Sequence, residues 1–244
     1  VCMLRKKSEV RIEERVLFGG KNSVFASWLI EIPEFKGAGR VFQRVVVPPM
    51  CEIGYHVHKG DSEAYYLLEG SGIYNDNGTE TELHEGDLTF TPDGTGHGFY
   101  NNTDKTAVIL ACVLYNFDKD KDITGLRKIR RAGSFTRKDL HAPFDGRGDF
   151  YGYLLLEGDE FTGAGRVYNI MHMLPDCKLG YHPHDGETEA FYIISGKGIF
   201  TDDDKEIEVG PGDVMLTGTG HGHALENKSD EELVYAALIY SDKE

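Results

Sequence analysis

Two groups of residues in this 244-residue chain have the types and spacing of metal ligands. Each group contains three histidines and one glutamate in the same order: His56, His58, Glu63 and His97, then His182, His184, Glu189 and His223. Each member of the second group follows its counterpart by 126 positions. Three neutral imidazoles and one carboxylate suit a divalent first-row metal, and a six-coordinate ion would keep two positions for water, dioxygen or a chelating substrate. We predict one divalent transition metal per group, Mn, Fe, Ni or Zn, and no further cofactor.

The alternative for these histidines is a structural role satisfied by hydrogen bonds, which is the usual fate of a single histidine. Six of the ten histidines fall in the repeated pattern, however, each time with the glutamate at the same offset. We expect structural roles for the other four, His84, His141, His172 and His221. His221 could instead act as a metal ligand, because it lies two residues before His223 and could compete with it for the ion.

The spacing within each group predicts how strands would position the ligands. Residues i and i+2 of a β-strand point to the same face, so His56 and His58 would face one interior. Residues 59–62 then turn the chain, and Glu63 opens the next strand. His97 follows a glycine-rich turn at 93–96 and comes from a separate strand.

The local pattern is β-type throughout the chain. Runs rich in Val, Ile, Tyr and Phe lie at 41–47, 64–68, 72–74, 88–91 and 108–115, with turn residues between them. Thirty glycines fit a protein made of tight turns. Residues 127–140 are a weak helix candidate. The pattern predicts an all-β sandwich or barrel.

The internal repeat predicts two domains. Residues 35–41 match residues 161–167, and the β-rich run 24–30 pairs with 150–156. A polar segment at 116–122 lies between the copies. Each copy, of about 120 residues, is long enough to bury its own core. We expect one domain in residues 1–122 and a second in residues 123–244.

Composition limits the partners and the compartment. The chain has 26 basic and 41 acidic residues and a net charge of −15, which disfavours nucleic acid and anionic membrane surfaces as partners. No apolar run reaches membrane-spanning length, and no signal peptide is evident. The four cysteines form no C-x-x-C pair, which favours a reduced compartment, so we expect a cytoplasmic protein. Cys51 and Cys177 are repeat equivalents, which indicates a small core residue used twice.

The ligand motifs closely resemble those of the cupin superfamily. Its first motif is G-x5-H-x-H, three or four residues, E, six residues and G. The first repeat matches it with His56, His58, Glu63 and Gly70, and the second with His182, His184, Glu189 and Gly196. The leading glycine departs from the spacing, since Gly54 and Gly180 lie two residues before the first histidine.

The second cupin motif, G-x5-P-x-G-x2-H-x3-N, is complete only in the first repeat. That repeat supplies Gly86, Pro92, Gly94, His97 and Asn101. The second repeat supplies Gly212, Gly220, His223 and Asn227, with Gly218 in place of the proline. All four ligand positions survive this change, although the turn before His223 is looser.

The resemblance implies a tandem bicupin with two double-stranded β-helix, or jelly-roll, barrels and one metal in each. It implies no single reaction, because cupins include dioxygenases, decarboxylases, isomerases, epimerases and non-enzymatic binders. The chain is most similar to small bacterial cupins related to oxalate decarboxylase. Manganese oxalate decarboxylases are longer bicupins with this ligand set, a lid glutamate as proton donor and an arginine that holds the carboxylate. No lid motif aligns here, and the acidic residues within 118–122 are typical of a solvated linker.

Four side chains are candidates for a role beside the metals. Arg40 and Arg166 follow Gly-Ala-Gly at equivalent positions, and a guanidinium can bind a substrate carboxylate through two hydrogen bonds. Their alternative role is pairing with one of the many acidic residues. Tyr65, and with it Tyr55, lies near enough in sequence to line the cavity.

Three functional hypotheses follow. The first is a metal-dependent enzyme, an oxidoreductase, decarboxylase or isomerase, acting on a small oxygen-rich acid or sugar. The alternative is a small-molecule-binding cupin without turnover. The third is a division of labour in which one copy is catalytic and the other structural. We expect a monomer or a homodimer.

Overall fold

A computed structural model describes residues 2–118, 120–161 and 163–242. Its regular structure consists of strands and short 3-10 helices. The strands up to residue 115 are β1 (Cys2–Arg5), β2 (Arg11–Arg15), β3 (Val24–Ile30), β4 (Gly39–Val47), β5 (Glu52–Val57), β6 (Asp61–Glu69), β7 (Ser71–Asp76), β8 (Thr79–His84), β9 (Leu88–Thr91), β10 (Gly96–Tyr100) and β11 (Ala107–Tyr115). The later strands are β12 (Lys128–Arg130), β13 (Arg137–His141), β14 (Asp149–Glu157), β15 (Gly165–Met173), β16 (Lys178–Pro183), β17 (Glu187–Ser195), β18 (Gly198–Asp202), β19 (Lys205–Val209), β20 (Val214–Thr217), β21 (Gly222–Glu226) and β22 (Leu233–Ser241).

Short helical turns connect some of these strands. The 3-10 helices are Lys7–Glu9, Ile32–Phe35, Thr124–Leu126, Ala132–Ser134, Pro143–Asp145 and Gly158–Glu160. The all-β prediction is confirmed, and the strands form two two-sheet jelly rolls rather than closed barrels. Among the described residues, no helix has the length and apolar character needed to cross a membrane.

The chain forms two compact units. The first unit contains the described residues of 11–134 together with 163–164. Its seven-stranded sheet has the order β12-β9-β6-β11-β4-β3-β2, and its four-stranded sheet has the order β5-β10-β7-β8. Apolar side chains from both sheets, including Val45, Ile53, Tyr74 and Phe99, form its core, and Cys51 belongs to this core as expected.

The second unit repeats this plan. It contains the described residues of 2–10, 135–161 and 165–242. Its sheets have the orders β1-β20-β17-β22-β15-β14-β13 and β16-β21-β18-β19. Cys177 lies in its core beside residues such as Phe191 and Phe200. The division near residue 122 stays a prediction for the domains, while strand β12 pairs with β9 in the first unit and β1 pairs with β20 in the second.

The helix expected at 127–140 is wrong. This stretch forms β12, a 3-10 turn and β13. Lys128–Arg130 pairs antiparallel with β9, and Arg137–His141 pairs with β14. The weak periodicity offered no continuous apolar face to a helix, so pairing with neighbouring strands decided the local structure.

Candidate metal centres

The first ligand group converges between the two sheets of the first unit. His56 on β5 lies opposite His97 on β10 in the four-stranded sheet. Glu63 lies on β6 of the seven-stranded sheet, and His58 directly follows β5. One nitrogen or carboxylate oxygen from each of the four residues lies within 4.8 Å of the others. The structure therefore brings the whole predicted set together.

The spacing of these donor atoms is that of ligands around one ion. The Nε2 atom of His97 lies 3.2 Å from Nε2 of His56, 3.2 Å from Nε2 of His58 and 2.9 Å from Oε2 of Glu63. Glu63 Oε2 lies 3.4 Å from His56 Nε2 and 3.3 Å from His58 Nε2. Two donors that bind one ion at about 2.1 Å and at right angles to each other are about 3.0 Å apart.

The tautomer of His56 tests whether a cation fits. Its Nδ1 lies 3.0 Å from the carbonyl oxygen of Gly54, which can only accept a hydrogen bond. Nδ1 therefore carries a proton, and in the neutral ring that a metal requires, Nε2 presents its lone pair toward the Glu63 carboxylate. A lone pair and a carboxylate repel each other unless a proton or a metal cation lies between them. The donor set thus fits a divalent metal.

A second layer of hydrogen bonds holds the other two rings. Nδ1 of His58 donates to Oδ1 of Asp61 at 2.7 Å, and Nε of Arg40 donates to the other Asp61 oxygen at 2.5 Å. Nδ1 of His97 lies 2.9 Å from the Thr91 hydroxyl and 3.1 Å from that of Tyr74. Such partners fix the orientation and basicity of metal-binding imidazoles. Sequence reasoning missed Asp61, Thr91 and Tyr74.

Charge in this buried site is balanced around the carboxylate. Burial raises the pKa of Glu63, but the contacts with the three histidines outweigh burial and hold this pKa well below its usual range. Burial lowers the pKa of His58, yet the hydrogen bonds to Asp61 and Glu63 raise it to about 9. Without a metal, the cluster therefore holds a proton on His58 and a negative charge on Glu63.

The second ligand group has the same architecture in the second unit. His182 on β16 lies opposite His223 on β21, and their Nε2 atoms are 3.1 Å apart. Oε2 of Glu189 on β17 lies 3.1 Å from His223, 3.3 Å from His184 and 3.6 Å from His182. Nδ1 of His182 donates to the Gly180 carbonyl at 3.0 Å, so in the neutral ring Nε2 would present its lone pair toward the carboxylate, as in His56.

The surroundings of the second group differ from those of the first. Glu187 stands at the position of Asp61, and its carboxylate lies 3.5 Å from Nδ1 of His184. Both ring nitrogens of His184 are buried, and neither has a hydrogen-bond partner within the described part of the chain. Because a buried unpaired nitrogen is costly, a metal on Nε2 would satisfy one of the two. The second donor set fits a divalent ion as well.

An aromatic ring covers one histidine in each unit. Phe18 stacks on His56 with ring centroids 3.7 Å apart, and Phe144 stacks on His182 at 3.9 Å. Both phenylalanines have positive φ angles, 50° and 54°. This conformation is costly for a bulky residue and is often found at functional sites.

Close backbone packing explains why a glycine precedes the first histidine by two residues. A Cβ atom at Gly54 would lie 2.3 Å from the Phe18 carbonyl oxygen. Gly180 has the same relation to the carbonyl oxygen of Phe144, at 1.8 Å. The absence of a side chain at Gly54 and at Gly180 thus leaves room for the loop that carries the stacked phenylalanine ring. Sequence reasoning missed these rings, although the offset of 126 between Phe18 and Phe144 was visible.

The other candidate side chains take different positions. Arg40 pairs with Asp61, and its side chain is about one-third exposed. Arg166 is exposed and forms no ion pair within the described part of the chain. Tyr65 is buried and stacks on His97 at 4.5 Å, and its pKa is raised well above the usual value by burial and by the charge of Glu63. Tyr55 is largely exposed.

The four histidines outside the groups do not join them. His221 contacts Asp203 through Nδ1 at 2.8 Å and is not among the clustered donors. His172 is stacked on Tyr151 with ring centroids 4.3 Å apart. His84 and His141 are exposed.

Comparison with known proteins agrees with this architecture. The family model for the cupin domain matches residues 43–113 and 169–239. An oxalate-binding protein from Thermotoga maritima is 32% identical over 119 residues, which cover 49% of this chain and 97% of that protein.

Two solved structures resemble nearly the whole chain. Oxalate decarboxylase from Bacillus subtilis has a TM-score of 0.68 at 17% identity, and the match covers 98% of this chain and 76% of that one. Protein Ylba from E. coli has a TM-score of 0.71 at 16% identity, with coverage of 100% and 92%. At these identities the likeness concerns the fold alone.

Proposed function

Because the chain belongs to the cupin family, with two cupin domains in tandem, we propose that it is a metal-dependent enzyme acting on a small oxygen-rich organic acid. One observation supports this most strongly. In each unit, three imidazoles and one carboxylate converge with the spacing of metal ligands, and one imidazole is fixed by a backbone carbonyl in the tautomer that a metal needs. We propose His56, His58, Glu63, His97, His182, His184, Glu189 and His223 as the ligands.

A divalent ion in these clusters would supply Lewis-acid chemistry to an oxygen-bearing substrate. Manganese is our first candidate, with Fe, Ni and Zn as alternatives. The choice is supported by a protein of this fold, since one solved structure of Bacillus subtilis oxalate decarboxylase concerns its Mn(II) centres. Mixed nitrogen and oxygen donors bind manganese or iron without the thiolates that soft metals prefer.

The residues around the first centre suggest their roles. Tyr65 lies beside Glu63, and its raised pKa keeps the hydroxyl protonated, so it can donate a hydrogen bond to a substrate oxygen. Arg40 acts through Asp61 on His58, which makes it a positioning residue in this proposal rather than a direct carboxylate holder. We assign no role to the exposed Arg166.

Binding without turnover is the second candidate function. The oxalate-binding protein that is 32% identical to half of this chain favours it. In that case the same open positions of the ion would hold a small acid such as oxalate. A homodimer or a monomer is compatible with either function.

The test begins with metal content. The purified protein is reconstituted in turn with Mn, Fe, Ni and Zn, and bound metal is measured by elemental analysis. Carbon dioxide release and dioxygen uptake are then followed with oxalate and other small acids, beside calorimetric binding. Turnover supports the enzyme, and binding without turnover supports the second candidate. Absence of metal from both centres would contradict both candidate functions. A Glu63→Ala/Glu189→Ala double variant serves as the metal-free control.

A further inference from the structure

The second centre opens into a cavity of its own. The cavity has a volume of about 400 Å³, and His182, His184 and Glu189 lie on its wall. At roughly 30 Å³ per water molecule, this is the volume of about thirteen waters. That is far more than a six-atom dianion such as oxalate would fill. Most of the remaining wall is apolar, and it includes Leu140, Leu154, Met171, Phe191, Ala237 and Ile239.

Uncovered apolar side chains distinguish this cavity. Met171 on β15 and Ile239 on β22 are only half-buried, although both strands lie inside the seven-stranded sheet. Their counterparts in the first unit, Val45 and Val113, are 3% and 1% exposed. Apolar surface beside a polar centre gains free energy when an apolar ligand group covers it.

The polar groups of the cavity are placed differently from those of the first centre. Phe191 replaces Tyr65, so the hydroxyl beside the carboxylate is missing from β17. Tyr235 on β22 replaces Ile109 and lines the cavity, with its ring 4.6 Å from that of Phe191. The tyrosine beside the ligand group thus lies on β6 in the first unit and on β22 in the second.

A second polar group of the cavity is the side chain of Asn169. Its buried Oδ1 atom accepts no hydrogen bond from the residues that the structure describes. An unpaired buried amide oxygen is costly, and a ligand that donates a hydrogen bond to it recovers that cost. Asn169 and Tyr235 therefore offer two polar contacts beside the apolar part of the wall; the other polar lining residues outside the ligand group are Lys138, Tyr153, Glu157 and Glu187.

We propose that the second centre takes a larger ligand than oxalate: an organic acid with a chelating head and an aromatic or branched apolar group. The carboxylate and an adjacent oxygen bind the ion, with Tyr235 and Asn169 near the head. The apolar group lies against Leu140, Met171 and Ile239. This inference rests on the proposed metal binding at Glu189.

Pyruvate and phenylpyruvate provide the test, because they share a 2-oxo carboxylate head and differ only by a phenyl group. The Glu63→Ala protein is loaded with Mn²⁺, its metal content is measured, and the Kd of each acid is determined by calorimetry. We expect phenylpyruvate to bind at least about tenfold more tightly, since it buries apolar surface. Equal affinities, with metal bound, would overturn this inference alone. Absence of metal from this variant would overturn the proposed centre and the inference with it.

A rim substitution locates the phenyl group. Leu140 is 43% exposed on the edge strand β13, so Leu140→Glu leaves the core intact. Glutamate is also the residue that the first repeat has at this position, as Glu14. We expect the variant to lower the phenylpyruvate-to-pyruvate preference about tenfold. The matched Glu14→Leu variant in the same background leaves the preference unchanged. A preference that survives Leu140→Glu would mean that the phenyl group binds outside this cavity.

Discussion

Asp61 accepts a hydrogen bond from Nδ1 of His58 at 2.7 Å, and its second oxygen is held by Arg40. Among its described residues, the second unit has no equivalent pair of hydrogen bonds. Glu187 lies 3.5 Å from Nδ1 of His184, and this nitrogen has no hydrogen-bond partner among the described residues. Arg166, the equivalent of Arg40, is exposed. The same ligand position is therefore oriented firmly in one centre and loosely in the other.

Replacing Asp61 by alanine should weaken metal binding at the first centre by about 10–100-fold, because it removes the partner that orients His58. The measurement is a metal titration in the Glu189→Ala background, where only the first centre can bind. The matched Glu187→Ala variant, titrated in the Glu63→Ala background, should change affinity by less than about threefold. Equal losses in the two centres would contradict a difference in orientation.

Removing either glutamate should reduce the bound metal from two ions to one. Glu63→Ala removes the anionic ligand of the first centre, and Glu189→Ala does so in the second. We expect the first centre to be at least as active as the second, because its second motif is complete and includes Pro92. Elemental analysis and turnover of each variant provide the check. Loss of all turnover in Glu189→Ala, with turnover retained in Glu63→Ala, would reverse this order.

The ligand groups were predictable because metal-binding residue types recur at a fixed offset. The residues that form hydrogen bonds to these ligands were not predictable from the sequence. Asp61 and Thr91 are common polar residues, and only the fold brings their oxygens to Nδ1 of His58 and His97. Gly54 was noticed as a motif residue, but the reason that this position requires glycine was not predictable. That reason is the close approach of the Phe18 loop, which is a contact formed only by folding.

The fold was also predictable only where the local sequence pattern is strong. The strands predicted from β-rich runs formed because alternation and turn residues encode them locally. Residues 127–140 had too weak a local signal, and long-range pairing of Lys128–Arg130 with β9 determined their structure. Arg40 was singled out as a possible carboxylate holder, whereas its partner Asp61 lies 21 positions away and becomes its neighbour only through folding.

Metal binding at the first centre should release protons at pH 7.5. In the metal-free protein, the pKa of His58 is raised to about 9, but a metal requires the neutral ring. The bound proton stabilises the metal-free fold fully below the ordinary histidine pKa of about 6.5, and this contribution is lost as pH rises through 9. Metal affinity therefore rises with pH, by up to about tenfold per unit, until His58 is neutral.

Calorimetry in two buffers of different ionisation enthalpy measures this proton release. The Glu189→Ala protein is titrated with Mn²⁺ in Pipes and in Tris at pH 7.5. The apparent enthalpies should differ by nearly the difference between the two buffers' ionisation enthalpies, since about one proton leaves per ion. Identical enthalpies in the two buffers would show that His58 is already neutral.

The turn before the last ligand offers a test of local rigidity. The Thr95 amide donates to the Pro92 carbonyl at 3.1 Å, and the His221 amide donates to the Gly218 carbonyl at the same distance. The two turns thus have the same hydrogen bond, so Gly218 can accept a proline. The preceding Thr217 ends strand β20, which suits the extended conformation required before proline.

Gly218→Pro should therefore stabilise the second unit by about 0.4–1 kcal/mol, because proline restricts the unfolded chain more than the folded one. Pro92→Gly should destabilise the first unit by a similar amount for the converse reason. Denaturant unfolding of the metal-free protein, followed by a probe for each unit, gives both values. If Gly218→Pro lowers the free energy of unfolding instead, the backbone at Gly218 does not share the conformation of Pro92. The looser turn of the second centre would then be a structural requirement rather than a tolerated substitution.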